Sequence, residues 1–522
     1  MLNLFGSVSL FSVFGLILVV LSAILIWPLI HILFNWFDRA SYFAALRGNF
    51  SEMINGSRKV VLIGSAFVII CWTLAFLAAF PGYWCYDTIH FTNFIESGSL
   101  SDQQSVLHTV LVGFIVRIGL TLFHSWNNAI AFYVILQAML TVSMILIIIS
   151  KLYKYNIGLI STISLYIYYS LNPFILMFGL CTTKDTLFSV YLMIFLWTIL
   201  EITLSKKGGG KQPFLIKVIP LVISGFLILA YRNNMLYVMI SALAIVTIFS
   251  LRYVAMRAIG LGIGIALVAF ALWTSVGYSI LGVQRSNSAR EMVSIPAATI
   301  SYLAYKDALP SLPSTLGGVD IDAMANGWQS GSQNSDNFRV YLWPAIDNGK
   351  MDDLLRYWLD CVIEHPNATL TSALVLTRSA WDFTVEPNPY RNSAVYEYDN
   401  TDSSYFACWV EDPGSAHSLF PALQKLFWDI SRVSNYGGQA LLGLLGSPAV
   451  FVWTTLACFL YSLSRRRWTF FVVTFILVLT ILTLLLGPTV LPRYYWFLYL
   501  FSPVCLVALL KAPSFSYVHA DH

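Results

Sequence analysis

Charge is what this chain has least of. Charged residues make up 11% of its 522 positions against 58% hydrophobic, and the mean hydropathy is +0.72. So few charges cannot solvate the surface of a globule this long, which excludes a soluble domain as the body of the protein. The net charge of +4 gives no reason to expect a nucleic-acid partner. Several motifs are missing as well. No zinc-type Cys/His spacing, Walker loop or dinucleotide glycine fingerprint occurs, so nucleotide-driven pumping is unsupported. No pair of interrupted apolar segments marks the inverted repeats of a secondary transporter. Of the 7 cysteines, Cys71, Cys458 and Cys505 fall in apolar runs and are expected to be inert core residues.

Apolar runs of membrane-spanning length are abundant. A hydrocarbon core of roughly 30 Å needs about 20 apolar residues per helix. The sequence predicts eleven spans, over residues 8–34, 60–80, 128–150, 157–178, 186–204, 214–231, 235–250, 258–281, 441–463, 469–487 and 494–510. With the N-terminus outside and the C-terminus inside, the short basic loops sort to the cytoplasmic side. These are Arg39, Arg47, Arg58 and Lys59; Lys151 and Lys154; Lys206, Lys207 and Lys211; Arg252 and Arg257; and Arg465, Arg466 and Arg467. Gly208-Gly209-Gly210 is then a flexible cytoplasmic loop.

That sorting requires residues 106–123 not to span. The stretch is apolar but carries His108 and Arg117, and counting it would move Lys151 and Lys154 outside. It is expected to lie in the external interface with its apolar face in lipid; the alternative is a short span whose Arg117 snorkels to the headgroups. The first run lacks a positive n-region and exceeds an ordinary h-region, so it is expected to be a retained helix. From residue 282 to about 438 the sequence turns mixed and polar, with Trp328, Trp343, Trp358, Trp381 and Trp409, long enough for one external domain or lid. The chain thus divides into an N-terminal transmembrane module (1–281) with its first external loop at 81–127, an external domain (282–440) and C-terminal transmembrane helices (441–522). Cys361 and Cys408 lie on the oxidising side, but two thiols alone do not decide whether they pair.

Four polar turns reach the same predicted external surface: Pro81-Gly82-Tyr83-Trp84-Cys85-Tyr86-Asp87, Thr182-Thr183-Lys184-Asp185, Tyr231-Arg232-Asn233-Asn234 and Leu491-Pro492-Arg493-Tyr494. The first, followed by an interfacial segment containing Leu107-His108-Thr109, resembles the first external loop of GT-C-fold polytopic glycosyltransferases. The order Tyr86-Asp87, Lys184-Asp185, Arg232-Asn233 and Pro492-Arg493-Tyr494 is similar to that of a largely uncharacterised bacterial membrane group, over nearly the whole chain except the external domain. The chain departs from that group in having Gln103-Gln104-Ser105 where a His-His-Pro motif stands, although His108 remains nearby.

The resemblance implies an all-α, GT-C-like enzyme of the bacterial cytoplasmic membrane. It would move a sugar from a polyprenyl-phosphate donor to an acceptor on the external face: a cell-surface glycan, a teichoic acid-like polymer, a lipid-linked glycan or a protein. No cofactor is implied, and a divalent ion supported by Asp87 and Asp185 stays open. The partners are the donor, the envelope acceptor and membrane lipids. Inverting transfer needs a carboxylate to take the acceptor proton, and Asp87 has the expected depth; as a favoured N-cap residue it would also cap a helix starting at Thr88. Arg232 and Arg493, then Lys184, are candidates to hold the donor phosphate, each alternatively an interfacial anchor. Asp185 either pairs with a cation, positions a substrate or caps the next helix. Secondary site candidates are His108, Tyr86, Asn233 and Tyr494. Tyr83, Trp84 and Tyr86 form either a sugar-stacking surface or an aromatic belt. In the external domain Glu291, Asp382 and Glu386 are acceptor-site acids or plain solvated carboxylates, and Glu364-His365-Pro366-Asn367 marks a helix start without a metal. The rival readings are a flippase for a lipid-linked saccharide, a polysaccharide ligase or polymerase using a lipid-pyrophosphate donor, and a non-catalytic scaffold.

Overall fold

The computed structural model describes residues 57–83, 89–155, 157–204, 214–383, 418–431 and 440–510, with parts of a helix between residues 15 and 38. Among these residues helix predominates and no strand forms; three isolated bridges are the only β-type pairings. Seven helices are long and apolar enough to cross a membrane, or eight if the bent pair Leu159–Leu171 and Pro173–Gly179 makes one crossing. Four shorter apolar helices accompany them: Val19–Asn35, Val218–Tyr231, Met235–Ser250 and Pro448–Ser464. The fold is therefore all-α and polytopic.

The bundle contains α1 (Ser57–Ala79), a short α2 (Ile89–Ser97), α3 (Val106–Phe123), α4 (Trp126–Lys154), the bent pair α5 (Leu159–Leu171) and α6 (Pro173–Gly179), then α7 (Lys184–Leu204), α8 (Phe214–Tyr231), α9 (Met235–Ser250) and α10 (Val254–Leu272). Helix α7 is apolar all round and lies at the centre, with Phe188, Leu192, Phe195, Leu196 and Ile199 fully excluded from solvent. The peripheral helices instead show apolar outer faces, such as Leu62 and Ile63 on α1, as lipid contact requires.

Helix α3, expected in the interface, is among the seven that qualify as spans by length and composition. It folds back on α4, and Gly119 sits where an added Cβ would lie 2.7 Å from the Ala129 Cα, so only glycine allows that approach. Arg117 donates to the carbonyls of Phe94 (3.2 Å) and Ile95 (2.9 Å) near the end of α2, and its guanidinium lies 5.2 Å from the Phe94 ring. A helix C-terminus presents carbonyls that favour a cation. Arg117 thus has a protein partner, which neither snorkelling nor headgroup contact anticipates.

The single span expected over 157–178 is broken at Asn172, where α5 and α6 meet at 57°. Pro173 has no N–H to give the carbonyl of Tyr169, four residues back. In lipid an orphaned carbonyl is expensive, and Trp72 Nε1 donates to it at 3.1 Å. Helix α18 (Trp496–Leu510) repeats the device: Pro503 lies inside it, and the Tyr499 carbonyl it cannot serve accepts from the Tyr168 hydroxyl at 3.1 Å.

A separate helical domain occupies residues 288–380, built around α11 (Ser294–Tyr305), α12 (Ile321–Gly331), α13 (Met351–Glu364) and α14 (Pro366–Leu376). Its own core packs Ala297, Met324, Phe338, Leu354 and Cys361. Pro366 opens α14, in keeping with the helix start expected from Glu364-His365-Pro366-Asn367. Cys361 is a buried free thiol, and burial pushes its pKa up to about 11, away from reactive thiolate; Cys408 lies outside the described residues. The chain returns to the bundle through α15 (Pro421–Ser431), α16 (Pro448–Ser464), α17 (Trp468–Leu485) and α18 (Trp496–Leu510).

The Tyr168→Phe protein should lose about 1–3 kcal/mol of stability, because the Tyr499 carbonyl is left without a donor while ring packing is kept. Thermal unfolding in detergent measures it, and an unchanged melting temperature refutes this account of the kink.

Candidate functional site

The site starts from a turn that the bundle holds by its backbone. Gly82, at φ 132° and with no room for a Cβ beside Val134, carries the chain from α1 into a bridge between Tyr83 and Cys181. Tyr83 N–H donates to the Leu180 carbonyl (3.0 Å) and Thr182 N–H to the Tyr83 carbonyl (3.0 Å). From inside α4, Gln137 Nε2 donates to the carbonyls of Gly179 (3.0 Å) and Cys181 (2.9 Å), and Tyr133 in turn donates to Gln137 Oε1 at 2.7 Å. The turn is thus fixed just before α7, whose first residues are Lys184 and Asp185.

Asp185 is the centre of the site. Its side chain is 2% exposed, Arg232 Nη2 donates to its Oδ1, and Arg493 Nε lies 3.8 Å from its Oδ2. Arg232 follows directly on α8, and Arg493 sits in the 3₁₀ turn Pro492–Tyr495 before α18. The side chains of Arg232 and Arg493 are only 10% and 6% exposed, so both are interior cations rather than surface anchors. Tyr494 lies between them, its ring 5.0 Å from the Arg232 guanidinium and 5.1 Å from that of Arg493; Arg232 also covers Phe188 at 5.1 Å. Stacking on aromatic faces fixes the guanidinium planes.

Lys184 donates to Gln104 Oε1. Ser105 caps α3 by accepting from His108 N–H at 3.2 Å, and its hydroxyl donates to the Ala230 carbonyl at 2.8 Å, tying α3 to the end of α8. His108 packs edge-on to Tyr231 with centroids 5.5 Å apart, with its ring bonded to the Thr182 backbone. Tyr231 meets Tyr191 at 5.1 Å. Buried polar atoms here without a hydrogen-bond partner include His108 Nδ1, Thr183 Oγ1, Arg232 Nε and the Tyr495 hydroxyl. Buried polar groups are normally satisfied, so a cluster of orphans marks room for a ligand or water.

The structure therefore brings together Lys184, Asp185, Arg232, Arg493, Tyr494 and His108. Asp87, Trp84 and Tyr86 lie outside the described residues. Asn233 is exposed in the turn after α8; its neighbour Asn234 reaches inward, donating to Thr483 Oγ1 at 2.9 Å. Glu291 pairs with Arg339 at 2.9 Å and Asp382 with Arg378 at 3.1 Å, so both have structural partners within or beside the helical domain; Glu386 lies outside the described residues. Sequence reasoning missed Gln104, Gln137 and Tyr191. The visible signal for Gln137 was an amide within an apolar helix, four residues after Tyr133. Asp185 is committed to two guanidiniums, and among the described residues no group of three potential ligands gathers for a metal.

Asp185→Asn would leave two buried guanidiniums without their carboxylate and should destabilise the protein by about 3–5 kcal/mol. Pairing it with Arg493→Gln removes one of the two cations and should restore part of the loss. Melting temperatures of the single and double variants check this; equal loss in both would show that charge pairing is not the cause.

No curated protein and no solved structure matches the chain. A family match runs from the last turn of α1 through the end of α18 and takes in every one of the described site residues. Over residues 78–513 the sequence fits DUF6020, a family of unknown function, and the chain belongs to that family.

Proposed function

We propose that this protein is a GT-C-type inverting glycosyltransferase that takes a sugar from a polyprenyl-phosphate donor and passes it to an envelope acceptor outside the bacterial cytoplasmic membrane. The observation that carries the reading is the convergence of Arg232 and Arg493 on the single carboxylate of Asp185, at a buried place, with Lys184 next to it in the chain and bonded to Gln104. Cations outnumber acids there among the described residues, and an incoming phosphate fits that excess. A guanidinium has five N–H donors, and Arg232 Nε is buried without a partner. Asp185 and Tyr494 hold the guanidiniums in place before substrate arrives, which is what stabilisation of developing charge requires.

In the proposed reaction an acceptor hydroxyl attacks the anomeric carbon, the bond from that carbon to the phosphate oxygen breaks, and polyprenyl phosphate leaves with the charge held by Arg232 and Arg493. Asp87 takes the acceptor proton. The orphaned His108 Nδ1 and Thr183 Oγ1 suit sugar hydroxyls beside the phosphate. The eleven-span topology, with the N-terminus outside, belongs to this reading and puts the cluster on the external side. The flippase alternative would draw on the 57° break between α5 and α6. The carbonyl freed there is already taken by Trp72, and Asn172 donates to Leu445 at 3.3 Å, so the break is a braced kink. A ligase using a lipid-pyrophosphate donor would use the same cations and is separated by donor choice.

Two measurements test the reading. Purified protein given a synthetic polyprenyl-phosphate sugar should transfer it; Asp87→Asn should lower turnover on the order of a hundredfold, while Arg232→Gln or Arg493→Gln should mainly weaken donor binding. Wild-type turnover in the first variant removes the base, and unchanged affinity in both others removes the phosphate clamp. For topology, a cysteine at Lys151 should resist an impermeant thiol reagent in intact cells. Labelling there would place the basic loop outside and reverse the orientation.

A further inference from the structure

Two backbone pairings join the helical domain to the loops that carry the cations. At its entrance, Gln284 N–H donates to the Leu100 carbonyl (2.8 Å) and Asp102 N–H to the Gln284 carbonyl (3.1 Å). Asp102 Oδ1 also accepts from Ser286 N–H at 2.5 Å, and Arg285 stands 3.5 Å from its Oδ2. Two residues further on is Gln104, which accepts from Lys184, followed by Ser105, which ties α3 to α8. At the second pairing, Asn334 lies opposite Thr489 in an antiparallel bridge, and Ser335 N–H donates to the Pro488 carbonyl at 2.8 Å. Thr489 Oγ1 donates to the Gln333 carbonyl (3.1 Å), and Gln333 Oε1 accepts from Ser379 (3.0 Å). Arg493 follows four residues after Thr489.

Neither pairing resembles a hinge. Asn334 and Ser335 are buried, at 3% and 0% exposure, and the domain's exit is also fixed, because Trp453 Nε1 on α16 donates to the Trp381 carbonyl at 2.8 Å. A lid that swings away in each turnover would have to break backbone hydrogen bonds at both loops, and those of Asn334 and Ser335 are buried while the Gln284 pairing is exposed. We propose that the segment Gln333-Asn334-Ser335 is a positioning element: the helical domain is a fixed clasp that sets the Arg493 turn against Asp185, while its Gln284 pairing sets Gln104 against Lys184. The inference deepens the reading of the cluster as a phosphate site, and substrate must then enter from the membrane side or beneath the clasp rather than by opening it.

The test uses the full-length chain in lipid nanodiscs, with polyprenyl monophosphate as the probe. Ser335 has φ −69°, a value proline adopts, so Ser335→Pro removes the N–H donated to Pro488 with little backbone strain; Ser335→Ala keeps it and is the control. Ser335→Pro should quicken amide exchange across residues 489–495 and weaken probe binding about tenfold, as expected for the loss of one hydrogen bond, whereas Ser335→Ala should do neither. A second variant, Asn334→Cys with Thr489→Cys, locks the pairing: opposed residues in a non-hydrogen-bonded antiparallel pair have Cα atoms about 4.5 Å apart, within disulfide range. A fixed clasp predicts equal probe binding in the oxidised and reduced forms. Binding abolished by oxidation and restored by reduction identifies an opening lid and overturns the proposal, as does unchanged exchange in a folded Ser335→Pro protein. If Ser335→Pro does not fold, the locked pair decides alone. If the wild-type protein does not bind the probe, the phosphate reading fails, and amide exchange still decides the clasp.

Discussion

A carboxylate enclosed in an apolar bundle stays charged only if cations meet it, and Asp185, 2% exposed, is met by two. Leaving such a group alone costs several kcal/mol, so the first turn of α7, the end of α8 and the turn before α18 cannot settle independently. The three segments lie far apart in the chain and share no backbone pairing with one another that would align them. The ion cluster therefore acts as a registration point, and the same contacts that align the helices also aim the guanidiniums. Fold and candidate site are in this sense one arrangement.

The rest of the bundle obeys the same rule through the backbone. Proline inside or between spans frees a carbonyl, and two such carbonyls here are answered from a different helix: Trp72 for Tyr169, Tyr168 for Tyr499. The Tyr169 hydroxyl meets the next carbonyl, that of Leu500, at 2.5 Å. These bonds join α1, α5 and α18, the last of which follows the Arg493 turn. In a medium without water they have no competitor. Bends that would be points of weakness in a soluble helix become braces, and the turn carrying Arg493 inherits their rigidity.

Much of this was legible in the sequence. Apolar run length gave most helices, and the polar turns at Lys184-Asp185, Arg232 and Pro492-Arg493-Tyr494 stood out because charge is so rare elsewhere. Their convergence followed from charge sorting of loops. What the sequence hid depends on partners distant in the chain. Gln104 looked like a departure from a motif, yet it holds Lys184, 80 residues away. Arg117 looked like a headgroup anchor, yet it serves the carbonyls of α2. Pro173 was visible, but proline is ordinary in apolar helices, and nothing local reveals that Trp72 takes the freed carbonyl, 97 residues away from its own position. The pairing of Gln333 with Thr489, at a separation of 156 residues, carries no periodic signal at all.

Rigidity also weighs between the kinds of function such a bundle can serve. A carrier must present its binding groups alternately to two sides, so its charged residues sit where helices part. Here the cations are pinned to a buried acid, stacked on Tyr494 and flanked by loops held through backbone hydrogen bonds. Moving them would expose Asp185 without its partners. A group-transfer enzyme has the opposite need, because charge that develops on a leaving phosphate is stabilised best by dipoles and cations that do not reorganise. The stability invested in holding Arg232 and Arg493 before any ligand arrives fits the second case, and under the proposed reading of the cluster as a phosphate site it explains why an acid, otherwise unfavourable beside an anion, is placed at its centre.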